Sequence, residues 1–286
     1  MGVVVQLGPN CEGTSIKLGQ RVGIKYVAGV CMNCDHCLEG MEPLCEKGTY
    51  SGFYTPGTFQ QYVLAPANYV TPIPDGVDSA AAAPMLCAGL TVYTALRKSG
   101  AKSGQWVVVS GAGGGLGHIA CQLGSRGMAL RILGVDAGNK EKLVKDSGAE
   151  AFIDALKHDD KSIAEEVKRI CGGRGASAVI MCTASNRAYG QAISMLRKGG
   201  TMVCVGMPEG DPVLIGGCHP AAIVGGQVNI TSAAVGTRQD AKELLDFAAR
   251  GVITSYYRLE KLEKLTDVFK DMSEGKLIGR VVLDLS

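Results

Sequence analysis

One stretch, residues 106–136, constrains the fold of this 286-residue chain more than any other. It reads WVVVSGAGGGLGHIACQLGSRGMALRILGVD. Its first five residues form an apolar, β-branched run, the pattern of a strand buried on both faces of a parallel sheet. Five glycines then fall within the seven residues 111–117. Ile119, Ala120 and Leu123 follow at helical spacing, and a second apolar run over 130–135 ends on Asp136. Strand, glycine turn, helix, strand and acid, in that order, predict a βαβ unit in a parallel sheet.

Each part of the unit has a physical role. A strand that turns directly into a helix needs residues without a Cβ, where φ is positive or another backbone comes close. An anion reaches the free N–H groups of the helix start only where no side chain intervenes, and the helix dipole then favours it. The pattern therefore predicts a dinucleotide site. Asp136 lies 22 residues after Gly114 and 19 after Gly117, near the spacing of about 20 expected of an acid on the ribose hydroxyls. A carboxylate there repels a 2′-phosphate, which favours NAD over NADP. The glycines depart from G-x-G-x-x-G in one place: Gly114 and Gly117 fit its last two positions, Ala112 stands in the first, and Gly111 comes one residue early.

The second motif is CMNCDHCLEGMEPLC, with Cys31, Cys34, Cys37 and Cys45 spaced C-x2-C-x2-C-x7-C. Four thiolates this close fit the closed tetrahedral shell of a structural zinc. They already fill it, so His36 is read as a surface histidine. The chain has eleven cysteines, an odd number, and its N-terminus lacks the basic region of a secretory signal. Metal binding is expected rather than disulfides. Cys121, Cys171, Cys182, Cys204 and Cys218 sit in or at the ends of apolar elements and are read as small core residues. A net charge of +2 with no Lys/Arg run gives no reason to expect nucleic acid. No apolar run is read as approaching the ~18 residues of a membrane span. Cytoplasm is the expected location, with a mitochondrial presequence as the alternative if residues precede Met1.

The rest of the chain divides around the central unit. Residues 1–30 read as short strands, including 2–6 and 21–30, and a further strand is expected over 59–64. Residues 78–99 read as helices, capped by Asp78 or Ser79 and broken at Pro84. Beyond Asp136, strands are expected over 149–153, 178–182 and 201–205, the last of the sheet, with helices over 162–170 and 188–196. Residues 228–236 read as a strand, 239–250 and 261–273 as helices and 279–285 as a final strand, all returning to the first region. Residues 141–145 and 158–161 read as solvated surface. The fold class is α/β, a doubly wound parallel sheet beside a β-rich domain. The expected domains are 1–88, 89–228 and 229–286.

The four-cysteine loop, a lone Cys87 ahead of a helix and the nucleotide unit stand in one order. With GTFQQY, PMLCAGLTVYTAL, SGAGGGLG, ILGVD, LDFAARG and GKLIGRVVLD, they resemble the zinc-dependent alcohol dehydrogenases of the medium-chain dehydrogenase/reductase family, in its yeast and fungal branch. The resemblance runs from about residue 2 to 286. It implies a GroES-like catalytic domain carrying the structural zinc lobe, a Rossmann domain for NAD, and homodimers or homotetramers joined near residues 230–235.

Position by position, the resemblance places Cys87 as a catalytic zinc ligand and Thr91 against the nicotinamide. It places Gly113, Gly114, Gly115, Leu116 and Gly117 on the pyrophosphate, and Asp136 on the ribose. Lys140 would lie near the adenosine ribose and Arg280 near the phosphates. Tyr26 falls in the substrate-pocket wall, and His118 is read as a solvent-facing first-turn histidine. In that family the other two catalytic ligands, a cysteine and a histidine, precede the GVVV strand. Here Met1 stands at the point where the histidine would be, so the expectation is an N-terminally truncated chain with a sheet edge exposed around residues 3–5. Cys11, His158 and His219 do not fall at ligand positions.

Three readings of function follow. One is an NAD-dependent alcohol dehydrogenase, interconverting a primary alcohol and its aldehyde, whose activity the missing ligands put in question. Another is a non-catalytic fragment that binds NAD and zinc and associates with intact subunits. The third is a zinc-free reductase of quinone-reductase type, against which the four-cysteine loop argues.

Overall fold

The computed structural model describes residues 1–211 and 213–285. The chain forms two compact units, one from Met1–Leu90 and Val235–Ser286, the other from Thr91–Ala234.

The Thr91–Ala234 unit is built on six parallel strands: β1 (Trp106–Ser110), β2 (Arg131–Asp136), β3 (Ala151–Asp154), β4 (Ala176–Met181), β5 (Leu196–Cys204) and β6 (Asn229–Ser232). Their order across the sheet is β6-β5-β4-β1-β2-β3. This is the doubly wound order that reverses direction beside β1 and leaves a crevice at the C-terminal ends of the strands. The central strands are covered on both faces, so they read as unbroken apolar runs. Val108, Leu133, Val179, Met181 and Met202 are fully buried. Asp159 and Ser162 close a capping box on the helix Asp160–Ile170, and Ser185 caps Asn186–Met195.

One expectation fails here. Residues 201–205 are not the last strand of the sheet, and residue 229 does not begin the return to the first region. β6 pairs with β5 from Thr201↔Asn229 to Cys204↔Ser232. As an edge strand, Asn-Ile-Thr-Ser is mostly exposed and lacks the apolar run that marks a buried one.

The other unit holds a three-stranded antiparallel sheet (Gly2–Val3, Arg21–Gly23, Thr71–Pro72) and two-stranded pairings of Val27–Gly29 with Thr49–Tyr50 and of Tyr257–Lys261 with Arg280–Asp284. The expected strand over 21–30 is thus two strands, and only Gly2–Val3 of the 2–6 run pairs. The strand expected over 59–64 is not formed. Its β-branched and aromatic residues suit a pleated surface, but strand propensity is realised only against a partner. Phe59, Tyr62 and Leu64 are exposed, as are Phe53 and Tyr54, and Val3 and Val5 are exposed too.

Pro84 does not break the helix as expected. Asp78 caps it, its Oδ2 accepting the Ala81 N–H at 2.8 Å. Pro84 ends the turns Ser79–Pro84, and a π-turn over Met85–Gly89 leads on into Leu90–Lys98. Proline lacks an N–H and pushes on the preceding turn; here it falls at the last residue of the α-helical turns, with the wider turn starting at the next residue. The 20-residue segment Ser79–Lys98 is long and apolar enough to cross a membrane by length and composition, contrary to expectation, but 67% of its most apolar window is buried within the protein.

A charged cluster lies inside this first unit. The Lys25 ammonium donates to the Tyr69 carbonyl and the Thr71 hydroxyl, both at 2.8 Å, and sits 4.4 Å from the centre of the Tyr69 ring. The Tyr69 hydroxyl donates to Glu42. Glu42 also accepts the Arg238 guanidinium and the Arg238 backbone N–H, each at 2.9 Å. Burial holds the Lys25 pKa down at about 8, with Glu42 opposing that shift and Arg238 adding to it. Burial, and then the neighbouring Glu42 carboxylate, hold the Tyr69 phenol above its usual range.

Between pH 8 and 10.5 the unfolded chain keeps a proton on Lys25 that the folded chain has lost. Stability from this group therefore rises with pH across that window. Wild type should gain about 1.5 kcal/mol between pH 8 and 9.5 relative to Lys25→Met, as read from urea unfolding at each pH.

Candidate functional site

Two constellations carry the chemistry, one in each unit. In the first, Cys31, Cys34, Cys37 and Cys45 bring their Sγ atoms within 4.8 Å of one another. Cys34 and Cys45 Sγ lie 3.9 Å apart. A tetrahedral zinc with Zn–S bonds of about 2.3 Å sets sulfurs about 3.8 Å apart, so the donor set fits the ion. The loop is shaped for it. Met32 takes a left-handed turn (φ 59°), and the short helix Asp35–Leu38 carries Cys37.

Backbone N–H groups point at the sulfurs, from Asn33 and Cys34 to Cys31 Sγ and from Cys31 to Cys45 Sγ. Those of Asn33 and Cys34 draw the Cys31 thiol down to about 6, which favours the thiolate a metal requires. Burial pushes the Cys37 thiol up to about 12, helped by the adjacent thiols of Cys45 and Cys34. A divalent ion offsets that cost by binding the sulfur directly.

Residues that the sequence did not single out brace this lobe. Glu42 sits three positions before Cys45 and pairs with Arg238, whose guanidinium also reaches the Met32 Sδ and the Asn68 carbonyl. The pair spans 196 positions, and no local signal links its members.

In the Thr91–Ala234 unit, the glycine turn is forced by close approach. A Cβ at Gly117 would collide with the Gly111 carbonyl oxygen and lie 2.5 Å from the Ala112 Cα. Gly111 has φ +79° and donates its N–H to the Val135 carbonyl at 2.8 Å. At Gly113 a Cβ would meet the Lys140 side chain at 2.6 Å. Gly114 has more room, its nearest neighbour being the Gly111 carbonyl oxygen at 3.3 Å. Leu116 stands at the N-cap of the helix Gly117–Gln122, and no side chain caps that end. The His118 N–H donates to the Gly114 carbonyl at 3.3 Å, and the helix dipole favours an anion beside this end.

Asp136 closes the turn at the end of β2. Its Oδ2 accepts the Gly113 N–H at 2.8 Å, and its Oδ1 accepts the Ala137 N–H at 2.8 Å and pairs with Lys140 Nζ at 3.2 Å. The structure thus places Gly113, Gly114, Gly115, Leu116 and Gly117 in one turn, with Asp136 and Lys140 against it at Gly113. His118 departs from its expected place. It is fully buried, with Nδ1 2.8 Å from the Gly114 carbonyl oxygen, and so supports the turn from within.

The remaining candidates lie elsewhere. Cys87 is exposed in the π-turn, and Thr91 is buried in the first turn of Leu90–Lys98. Arg280 opens its strand, its N–H donating to the Tyr256 carbonyl at 2.9 Å. Among the described residues the four-cysteine cluster is the one group of three or more metal-ligating side chains, and Cys87 is not joined by two others.

Comparison with known proteins agrees with this picture. Residues 1–75 match the family model "Alcohol dehydrogenase GroES-like domain", and residues 115–250 match "Zinc-binding dehydrogenase". The chain is 55% identical to Alcohol dehydrogenase 2 of Emericella nidulans and 40% identical to an alcohol dehydrogenase of Schizosaccharomyces pombe, in each case over 100% of this chain and 79% of the relative. A solved NAD-dependent alcohol dehydrogenase superposes with a TM-score of 0.89 at 25% identity, covering 100% of this chain and 81% of that one. The alcohol dehydrogenase of Aeropyrum pernix gives 0.88 at 24% identity, over 99% and 80%.

Two outcomes test the geometry. Cys45→Ser should lower zinc content from about one ion per chain to well under one, measured by elemental analysis after gel filtration. Gly117→Ala should cost at least about 2 kcal/mol in urea unfolding, because its methyl meets backbone rather than a movable side chain.

Proposed function

Because this chain belongs to the zinc-containing alcohol dehydrogenases of the medium-chain dehydrogenase/reductase family, of the fungal type, we propose that it is built for NAD-linked interconversion of small primary alcohols and aldehydes. The observation that carries the cofactor half is the Asp136 carboxylate, held at the mouth of an uncapped glycine turn by two backbone N–H groups and Lys140.

In this reading the N–H groups around Leu116 and Gly117 bind the pyrophosphate, where the helix dipole adds to them. Asp136 accepts the hydroxyls of the adenosine ribose and repels a 2′-phosphate, selecting NAD. Lys140 holds the carboxylate in place. On the resemblance, Thr91 packs against the nicotinamide and Arg280 lies near the phosphates. NAD, when bound, accepts the hydride.

The metal half divides in two. Cys31, Cys34, Cys37 and Cys45 suit a structural zinc. A catalytic zinc needs three protein ligands and an open position, and among the described residues Cys87 is not joined by two more. The residues present do not make that site. We therefore propose that the chain as given binds NAD and one zinc, and that alcohol turnover requires ligands beyond Cys87. The same observation favours a second reading, a partner chain that associates with intact subunits. β6, at the edge of its sheet with Asn229 and Ile230 exposed, is the surface proposed to meet a second copy. Cytoplasm is the proposed location.

Zinc per chain, NAD affinity and ethanol oxidation measured on one preparation test this. About one zinc with NAD bound and no turnover is the expected result. Two zincs with turnover would overturn the claim that two further metal ligands do not join Cys87, and no NAD binding would overturn the cofactor reading. Asp136→Asn should weaken NAD about tenfold or more and narrow its preference over NADP, as read by equilibrium titration with each.

A further inference from the structure

At the N-terminal edge of the parallel sheet, opposite the glycine turn, lies a cavity of about 370 Å³. Three arginines line it, Arg131 at the start of β2, Arg174 in the loop before β4 and Arg197 at the start of β5. The Trp106 ring, at the start of β1, lines it as well. We propose that this cavity is an anion site for a small phosphate-bearing molecule.

The charge balance points to the ligand. Arg131 is committed, with its guanidinium stacked 4.1 Å over Trp106 and paired with Glu150 at 2.9 Å. Neither Arg174 nor Arg197 has an acidic partner among the described residues. The Nε of Arg197 is buried and accepted by nothing. A buried donor without an acceptor is costly and marks a place where a missing acceptor belongs. Two uncompensated guanidiniums match a phosphate dianion better than a single carboxylate, and their planar forks suit phosphate oxygens.

The backbone is shaped to put them there. The loop Gly-Gly-Arg-Gly over 172–175 takes positive φ at Gly172, Gly173 and Gly175. A Cβ at Gly175 would lie 2.7 Å from the Met195 carbonyl oxygen and 2.9 Å from the Arg197 nitrogen. This tight crossing fixes Arg197 beside the loop that carries Arg174. The one cysteine in the wall, Cys171, is buried and its thiol is pushed up to about 11. With no thiolate at hand, the cavity is suited to binding rather than to covalent chemistry. The volume falls in the lower part of the range for small-molecule pockets. β1 separates this site from the glycine turn by five residues, about 15 Å.

Trp106 is the only tryptophan in the chain, so its fluorescence reports on the site directly. The test titrates the full chain with inorganic phosphate and with pyrophosphate, at an ionic strength held constant with chloride. A saturable change is expected, with affinity at least tenfold weaker in R174Q/R197Q and weakened less in R174K/R197K, which keeps the charge but not the planar fork. Pyrophosphate could also occupy the glycine turn, and the paired arginine variants separate the two sites because they leave that turn untouched. If the double variant does not fold, R174Q alone, in an exposed loop, is used and should still weaken binding severalfold. An equal response to chloride, no saturable change with either anion, or unchanged affinity in the glutamine variants would overturn the proposal.

Discussion

At Gly117 the first turn of a helix presses on the end of β1 so closely that a single methyl group would strike the Gly111 carbonyl oxygen. The nucleotide half of the protein depends on that contact. It fixes where the helix begins, and so where its first N–H groups point. It leaves room for Gly113 to donate to Asp136, which fixes the acid. It also draws His118 inward onto the Gly114 carbonyl, so the turn is held from both sides. Close backbone packing here sets the electrostatics, because an anion site made of N–H groups is only as well defined as the backbone that carries it.

The metal lobe is organised by the opposite means. Four soft donors converge there, and the loop has almost no apolar core of its own. Of its four sulfurs only that of Cys45 belongs to a buried residue. Its rigidity comes from Glu42, which ties the lobe to Arg238 and Tyr69. A metal lobe braced by an ion pair whose carboxylate is buried combines two interactions that each require their partner, since a lone carboxylate or a lone thiolate is costly once buried.

The central sheet was legible in the sequence because strands buried on both faces must be apolar throughout, and Val107, Val108 and Val109 or Ile132 and Leu133 carry that message unaided. The four-cysteine spacing was legible for a similar reason, since metal geometry admits few patterns. What was missed lacks a local cause. Asn229–Ser232 is an edge strand whose identity comes from its neighbour β5. Residues 59–64 have the composition of a strand and no ladder to join. His118 is buried because a carbonyl awaits it, which its position in a first turn does not reveal. Pro84 was expected to stop a helix, and a π-turn let the helix pass.

The first unit is made of two stretches of chain, with the whole second unit inserted between them. During synthesis Glu42 and the cysteine loop emerge early, while Arg238 follows only after the entire parallel sheet has been made. Until then the Glu42 carboxylate has no guanidinium to bury it against, and the first unit cannot close. The inserted sheet has all its strands between Trp106 and Ser232 and can complete first. Vectorial synthesis therefore imposes an order on folding: of the two units, the one that begins to emerge earlier is the one that finishes later.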